Sequence, residues 1–253
     1  MRVSRVRTGA IAGLVATVVA TAAPTIAHAA EAPRSIASDT PSQIVSTSIH
    51  AAVAQKSVRV SCTTSIAALG VSASQTSDAG PNYGTQSMVL TLKGTPGTGN
   101  GTARVVNGVA YFKGNAEFLF LNFGVRNSKY ANEWISIKPG QRDFATVSDG
   151  LTMSTVPSQL TPIGQLTKSS IVHVAGQSVV VVSGSTSAPM NVGTGKVHLF
   201  VSTTAPYLPV QETIQSKPSP STNFVGTCSL SHWKESFTVS KPSTSTPITQ
   251  TNL

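Results

Sequence analysis

Polar and apolar residues alternate along most of this chain with the two-residue period of β-strands. In the segment 57–66, Val58, Val60 and Cys62 share one face of a predicted strand, whereas Arg59 lies on the opposite face. Similar patterns predict strands at 88–92, 102–106, 109–113, 134–137, 169–174, 178–183, 196–203, 210–215, 224–230 and 236–240. The stretch 70–84, rich in Gly, Ser and Asn, is predicted to be a connection.

A helical period occurs in fewer places. The motif Thr40-Pro41-Ser42-Gln43 is a capping box with proline at the first helical position, and Val45, Ile49 and Val53 then form one apolar stripe. Two further helical stretches are predicted, over 115–132 and, with interruptions, over 143–160. Since Phe118 to Leu121 is apolar on every side, we expect the second helix to be covered on more than one side.

The dipeptide Asn107-Gly108 is a strong signal for a two-residue β-hairpin. The predicted register pairs Val106 with Val109, Val105 with Ala110, and Ala103 with Phe112. The preceding glycine-rich segment, Gly94 to Gly101, leads into a strand and lacks the Lys-Ser/Thr ending of a phosphate-binding loop. We therefore interpret it as a mobile hairpin tip.

The order of elements is a helix, strands, a helical middle and more strands, without regular βαβ alternation. This order predicts an α+β fold with an antiparallel sheet. We expect one domain over residues 41–241, a polar linker over 30–40 and a disordered tail over 242–253, which is rich in Ser, Thr and Pro.

Residues 1–29 have the three parts of a secretory signal: a basic start, the apolar run Gly9 to Ala23 and the small-residue site Ala27-His28-Ala29. We predict cleavage between Ala29 and Ala30, and release to the extracellular space or the cell wall. The alternative is an uncleaved membrane anchor. It is disfavoured because Pro24 ends the apolar run near fifteen residues, whereas spanning usually needs about 20.

The chain contains two cysteines, Cys62 and Cys228. Because exported proteins reach oxidising compartments, we predict a disulfide between them; two buried free thiols are the alternative. A metal site built on Cys228 and His232 would need more ligands than the local spacing offers, so we predict no metal and no cofactor.

Charged residues make up 11% of the chain, against roughly 25% in ordinary soluble domains, while 34 Ser and 31 Thr supply neutral polar surface. The formal charge of +9 falls to +6 once Arg2, Arg5 and Arg7 leave with the leader. The remaining basic residues are scattered and aromatic residues are 6% of the chain, which argues against nucleic-acid binding. Weak association with anionic wall polymers or a membrane surface fits this charge better.

No hydrolase motif is present: the chain has no Gly-x-Ser-x-Gly elbow and no His-Glu-x-x-His pair. His173 and His198 alternate with apolar neighbours inside predicted strands, so we expect them on the polar face of the sheet. The acidic residues show no close catalytic pair. We therefore predict that the protein is not an enzyme.

Several short segments resemble the LppX/LprG family of actinobacterial envelope lipoproteins, which are similar in fold to the lipoprotein carrier LolA. They are Ser57-Val58-Arg59-Val60-Ser61 after the first helix, the run from Val106 to Asn115, the strand at Trp134, and Tyr207-Leu208-Pro209-Val210 before Trp233. The resemblance covers roughly residues 45–240 and implies a curved antiparallel half-barrel wrapped over helices. This chain departs from the family in having no lipidation cysteine, and Cys62 interrupts the first strand.

The resemblance also implies an apolar cavity that holds lipid acyl chains. The predicted ligand-binding residues are Val60, Met88, Leu90, Leu92, Val105, Phe112, Phe118 and Leu121. The leading hypothesis is a secreted, non-catalytic carrier or sequestering protein for a lipid or another amphiphile. The alternative is an envelope structural or protein-interaction module, in which the same side chains form a filled core.

Overall fold

The computed structural model describes residues 35–95, 97–124, 128–141, 143–187, 194–216 and 224–247. The predicted leader, with its cleavage site between Ala29 and Ala30, lies outside these residues. Secretion after cleavage therefore stays a prediction.

The described residues form four α-helices and thirteen strands. The helices are α1 (Pro41–Gln55), α2 (Ala116–Phe123), α3 (Phe144–Ser148) and α4 (Val156–Gln159). The strands are β1 (Val58–Ile66), β2 (Val71–Ala79), β3 (Gly84–Leu92), β4 (Thr98–Val106), β5 (Val109–Gly114), β6 (Ile135–Ile137), β7 (Ile163–Lys168), β8 (Val172–Val174), β9 (Gln177–Ser187), β10 (Thr194–Ser202), β11 (Pro209–Ser216), β12 (Phe224–Ser231) and β13 (Thr246–Pro247).

All thirteen strands belong to one open sheet. Its order is β13-β6-β5-β4-β3-β2-β1-β12-β11-β10-β9-β7, with β8 paired to β9 off this path. Every pairing is antiparallel except that of β13 with β6. The fold is thus α+β, an open, curved antiparallel sheet that carries helices, and the predicted fold class is confirmed.

The predicted capping box begins α1. The Gln43 amide donates to Thr40 Oγ1 at 3.3 Å, and the Thr40 amide donates to Gln43 Oε1 at 3.0 Å. The predicted stripe is wrong at its C-terminal end, because Val53 is 50% exposed. The buried residues of α1 are Ile44, Val45, Ser48 and Ala52.

The hairpin register predicted from Asn107-Gly108 is confirmed: Val105 lies opposite Ala110, and Ala103 lies opposite Phe112. Both turn residues have positive φ, 52° and 72° respectively, as a type I′ turn requires. This register places Val105 and Phe112 on the face of the sheet that packs against α2 and α3.

Several sequence-based boundaries were wrong. The stretch 70–84 is mostly strand β2 rather than a connection, β7 was not predicted, and 236–240 forms no strand. β2 escaped detection because its inner positions include Ala73, Gln75 and Ser77, so apolar residues do not mark one face.

The predicted linker and tail both contribute to the structure. Ile36 is 2% exposed and packs in the core, and Lys168 Nζ donates to the Ala37 and Asp39 carbonyls at 2.7 and 2.6 Å. In the predicted disordered tail, Thr246–Pro247 pairs with β6 as an edge strand. The domain therefore extends past both predicted ends, at least from Ile36 to Pro247.

Across the described ranges, no helix is long and apolar enough to cross a membrane.

Candidate functional site

Cross-strand partners in an antiparallel sheet point to the same face, so the register sorts the side chains into two faces. We call the face that carries Cys62 and packs against the helices the inner face, and the opposite one the outer face. In the strands near the middle of the sheet, the outer face is rich in hydroxyl groups, among them Thr63, Ser74 and Thr227. Arg59 and Asp78 form an ion pair on it at 2.7 Å, which raises the pKa of Arg59.

Two separate hydrophobic cores cover the two flanks of the inner face. The first core joins α1 and α4 to the strands on the β9 to β12 side, and its members include Ile44, Val45, Val180, Val182, Leu199, Val201 and Leu230. The second core joins α2 and α3 to β4, β5 and β6, and its members include Val105, Phe112, Phe118, Leu119, Ile135, Ile137 and Leu151. Between the two cores, the inner face is formed by parts of β1, β2 and β3.

This middle part of the inner face is only half-buried. Its side chains on β1 to β3, which we call the central strip, are Thr64, Ile66, Val71, Ala73, Gln75, Met88, Leu90 and Leu92. α1 packs on β7, β9 and β11, whereas α2 packs on β3, β4 and β5, so the helices cover mainly the flanks. Most of the strip is apolar, and it adjoins both cores.

The second core is closely packed because three glycines let α2 lie directly on the sheet. A Cβ atom added at Gly101 or at Gly114 would lie 2.3 Å from the Phe118 ring, and one at Gly99 would lie 2.9 Å from the Phe118 Cα atom. Gly101 and Gly114 face each other across β4 and β5. The interpretation of Gly94 to Gly101 as a mobile hairpin tip was therefore wrong for Gly99 and Gly101, which belong to β4 and serve helix packing.

The disulfide between Cys62 and Cys228 is present, as predicted. The two residues are direct partners in the pairing of β1 with β12, with 4.0 Å between their Cα atoms. The bond therefore links an early strand to a late one at the middle of the sheet, next to the central strip.

Glu212 is the charged residue that the sequence reasoning missed. It lies on β11 opposite both Cys228 and Leu199, which places its side chain on the inner face between the disulfide and the first core. It is 5% exposed, and burial raises the pKa of its carboxyl from 4.5 to about 7. In the sequence, Glu212 stands at every-second-residue spacing between the apolar residues Val210 and Ile214. This pattern predicts a carboxyl on the apolar face of the strand and could have identified Glu212 as a buried acid.

A second polar group is buried on α1, a helix that packs on β11. Ser48 is fully buried on the face of α1 that packs against the sheet, and its hydroxyl has no hydrogen-bond partner among the described residues. The Glu212 carboxyl also has no hydrogen-bond partner in the part of the chain that the structure describes, but its oxygens, unlike Ser48 Oγ, are not completely enclosed. Buried polar groups are normally hydrogen-bonded, so two such groups under one helix call for an explanation.

Two surface cavities are present among the described residues, and the larger one includes Thr64 and Ala73 of the central strip in its lining. One, of about 460 Å³, lies mainly on the outer face and is lined by residues such as Thr63, Ser72 and Thr91. The other, of about 330 Å³, lies between α1 and the segment leading into β7, where Ile49, His50 and Leu166 line it.

Comparison with known proteins found matches among solved structures. The crystal structure of LprF from Mycobacterium bovis has 16% sequence identity and a TM-score of 0.48; the match covers 80% of this chain and 96% of that one. The crystal structure of the Mycobacterium tuberculosis lipoprotein LppX has 15% identity and a TM-score of 0.47, with 79% and 100% covered. The chain is similar in fold to LprF and LppX. No protein-family model and no curated protein sequence matches it.

The eight predicted ligand-binding residues lie in different parts of the inner face and of α2. Val105, Phe112 and Phe118 are buried in the second core, with Met88 and Leu90 partly buried against it. Val60 packs against the first core instead, and Leu92 and Leu121 are half-buried outside both cores. Three of the eight, Met88, Leu90 and Leu92, belong to the central strip.

Two of the described histidines contact serine hydroxyls on β9. His198 lies on the outer face, where its Nδ1 is 2.7 Å from Ser183 Oγ, and His173 Nε2 is 3.1 Å from Ser178 Oγ. Within the described ranges, no three His, Cys, Asp or Glu side chains are grouped as metal ligands would be.

Proposed function

We propose that the protein is a non-catalytic carrier or sequestering protein that binds a lipid or another amphiphile on the central strip. The observation that supports this proposal is the division of the inner face into two closed cores with a half-buried apolar surface between them. Apolar surface left partly open to solvent in a stable fold commonly marks a ligand or partner site.

The strip is a half-buried surface along β1, β2 and β3. Neighbouring strands lie about 4.8 Å apart, so its three strands offer a surface roughly 10 Å wide between the flanking helices. Ile66, Val71 and Leu92 supply its apolar end, and Gln75 supplies a polar group beside the disulfide. An alkyl chain would bury apolar area there without requiring either core to open.

The experiment compares two tryptophan substitutions on β3. Leu92→Trp places a large side chain on the central strip, whereas Val89→Trp places the same side chain on the outer face of the same strand. A dye that fluoresces in apolar surroundings, displaceable by dodecanol, is titrated into each protein. We expect Leu92→Trp to weaken dye binding several-fold and Val89→Trp to leave it unchanged. Absence of displaceable dye binding by the parent protein would refute the proposal.

A second candidate is an envelope structural or protein-interaction module, which the close packing of the second core favours. Val105, Phe112 and Phe118 are each at most 5% exposed, so they already form a filled core. In that case dye binding would be absent, and the hydroxyl-rich outer face would be the surface available to a partner.

We also propose that the mature protein begins at Ala30 and is found outside the cell or in the wall. The leader pattern ending at Ala27-His28-Ala29 supports this, and a disulfide such as Cys62–Cys228 is common in exported proteins. N-terminal sequencing of protein from culture medium and wall fractions tests it. Retention of Met1, or extraction only with membranes after a high-salt wash, would contradict it.

A further inference from the structure

The buried carboxyl of Glu212 has no role in the packing described above. Its neighbours across the sheet are Leu199 on β10 and Cys228 on β12. The Leu199 side chain has no hydrogen-bond donor, and Cys228 has none because its sulfur is in the disulfide. An unpaired buried polar group costs free energy, and a carboxyl is among the more expensive ones. Leu or Met would pack better at this buried position, unless the carboxyl binds a ligand.

Glu212 lies at the boundary between the first core and the surface that continues to the central strip. Along one inner-face row the residues are Leu199, Glu212, Cys228, Cys62, Gln75 and Met88. At about 4.8 Å per strand, Glu212 lies roughly 10 Å from the Cys62 position, where the strip begins. A chain lying on the strip and running across the disulfide would bring its end to Glu212.

We propose that Glu212 anchors the polar end of the bound amphiphile, and that this end is a hydroxyl group. This inference rests on the proposed function. A hydroxyl can donate to the Glu212 carboxylate, for which the described residues provide no hydrogen-bond donor. The carboxyl would then gain the hydrogen-bond partner that the described residues do not supply.

The described surroundings of Glu212 contain no charged side chain that could pair with its carboxyl. The inner-face neighbours on β10 and β12 are Val197, Leu199, Val201, Gly226, Cys228 and Leu230, and the buried residues of α1 are Ile44, Val45, Ser48 and Ala52, so none of these titrates. Burial alone raises the pKa of the carboxyl to about 7. A donor that hydrogen-bonds the ionised form stabilises it, so binding lowers this pKa and affinity should rise with pH through about 7.

The test uses two ligands that differ in one hydrogen-bond donor: dodecanol and dodecyl methyl ether, each measured by displacement of the apolar dye. In the full mature chain at pH 8 we expect dodecanol to bind roughly tenfold more tightly than the ether, since hydrogen bonds to charged groups are the stronger ones. Glu212→Leu should remove this preference while leaving ether binding in place. Glu133→Gln, at an exposed carboxylate, is the matched control and should retain it.

Glu212→Gln provides a second readout that does not depend on the stability of the Leu variant. It keeps the shape and an acceptor oxygen but removes the ionisation, so dodecanol affinity should become independent of pH between 6 and 8. Equal affinity of the parent protein for alcohol and ether, or an unchanged pH dependence in Glu212→Gln, would overturn the anchor and leave the carrier in place. If neither ligand displaces the dye, the proposed function and the anchor both fall.

Discussion

Replacing Glu212 by Gln should make the ligand-free protein more stable above neutral pH. It should also remove one contribution to the pH dependence of the unfolding free energy. The folded state holds this carboxyl with a pKa of about 7, against 4.5 for the same group in ordinary surroundings. Between these two values the folded chain binds a proton that the unfolded chain has released. The stability contribution is therefore complete below pH 4.5 and is lost as pH rises through about 7.

The magnitude follows from the gap between the two pKa values. Each pH unit of difference corresponds to about 1.4 kcal/mol, so the wild-type protein should lose about 3 kcal/mol of unfolding free energy between pH 4.5 and pH 7 at this residue. For a domain of this size such a loss corresponds to roughly 10 °C in Tm. Because the side chain is nearly buried, little solvent screening reduces this figure.

Urea unfolding followed by circular dichroism at pH 5, 6, 7 and 8 measures the effect as a difference between wild type and variant. The difference cancels the contributions of the other acidic residues, and Glu133→Gln controls for loss of a carboxylate at an exposed position. We expect the two stability curves to converge near pH 5 and to separate by about 3 kcal/mol at pH 8. Parallel curves across this range would show that Glu212 ionises normally and would refute the reasoning.

Three further predictions concern packing and the disulfide. Gly101→Ala should lower the unfolding free energy by about 1–3 kcal/mol, because the new methyl group clashes with the Phe118 ring. The control Thr102→Ala, on the opposite face, should lower it by less than about 1 kcal/mol. Urea denaturation measures both. Phe112→Trp should lower Tm through overpacking, since this ring is 1% exposed; an unchanged Tm would mean that the second core has space to spare. Cys62→Ala combined with Cys228→Ala should lower stability by at most about 5 kcal/mol, because the bond closes a long loop, and peptide mapping without reduction should recover the two cysteines joined in the parent protein.

Local signals in the sequence predicted local structure well. The capping box at Thr40 and the turn at Asn107-Gly108 each involve residues within a few positions of one another, so their chemistry determines a helix start and a strand register directly. The inward face of β1, including Cys62, was predicted for the same reason, because a period of two is visible along one strand.

Long-range pairing is what the sequence did not supply. The predicted disulfide is the exception, because it joins Cys62 and Cys228 across 166 positions. Nothing in the sequence gives the strand register of β1 with β12, and nothing local to β2 marks it as the neighbour of β1. The candidate site depends on these pairings, because they decide which residues stand beside each other on the inner face. The eight apolar residues predicted to bind a ligand are therefore divided among the two cores, the central strip and, for Leu121, a half-buried position on α2 outside both cores.

The contact between Phe118 and the glycines restricts where a ligand can bind. A carrier with space between its helices and its sheet needs the helix layer to stand away from the strands, yet α2 approaches β4 and β5 so closely that no Cβ atom fits at Gly101 or Gly114. Added volume at this flank must displace side chains from a packed core. The proposed binding surface is therefore the central strip, whose side chains are only half-buried. If a ligand binds there, the polar groups Gln75, in the strip, and Glu212, two strands from Cys62, would select its headgroup.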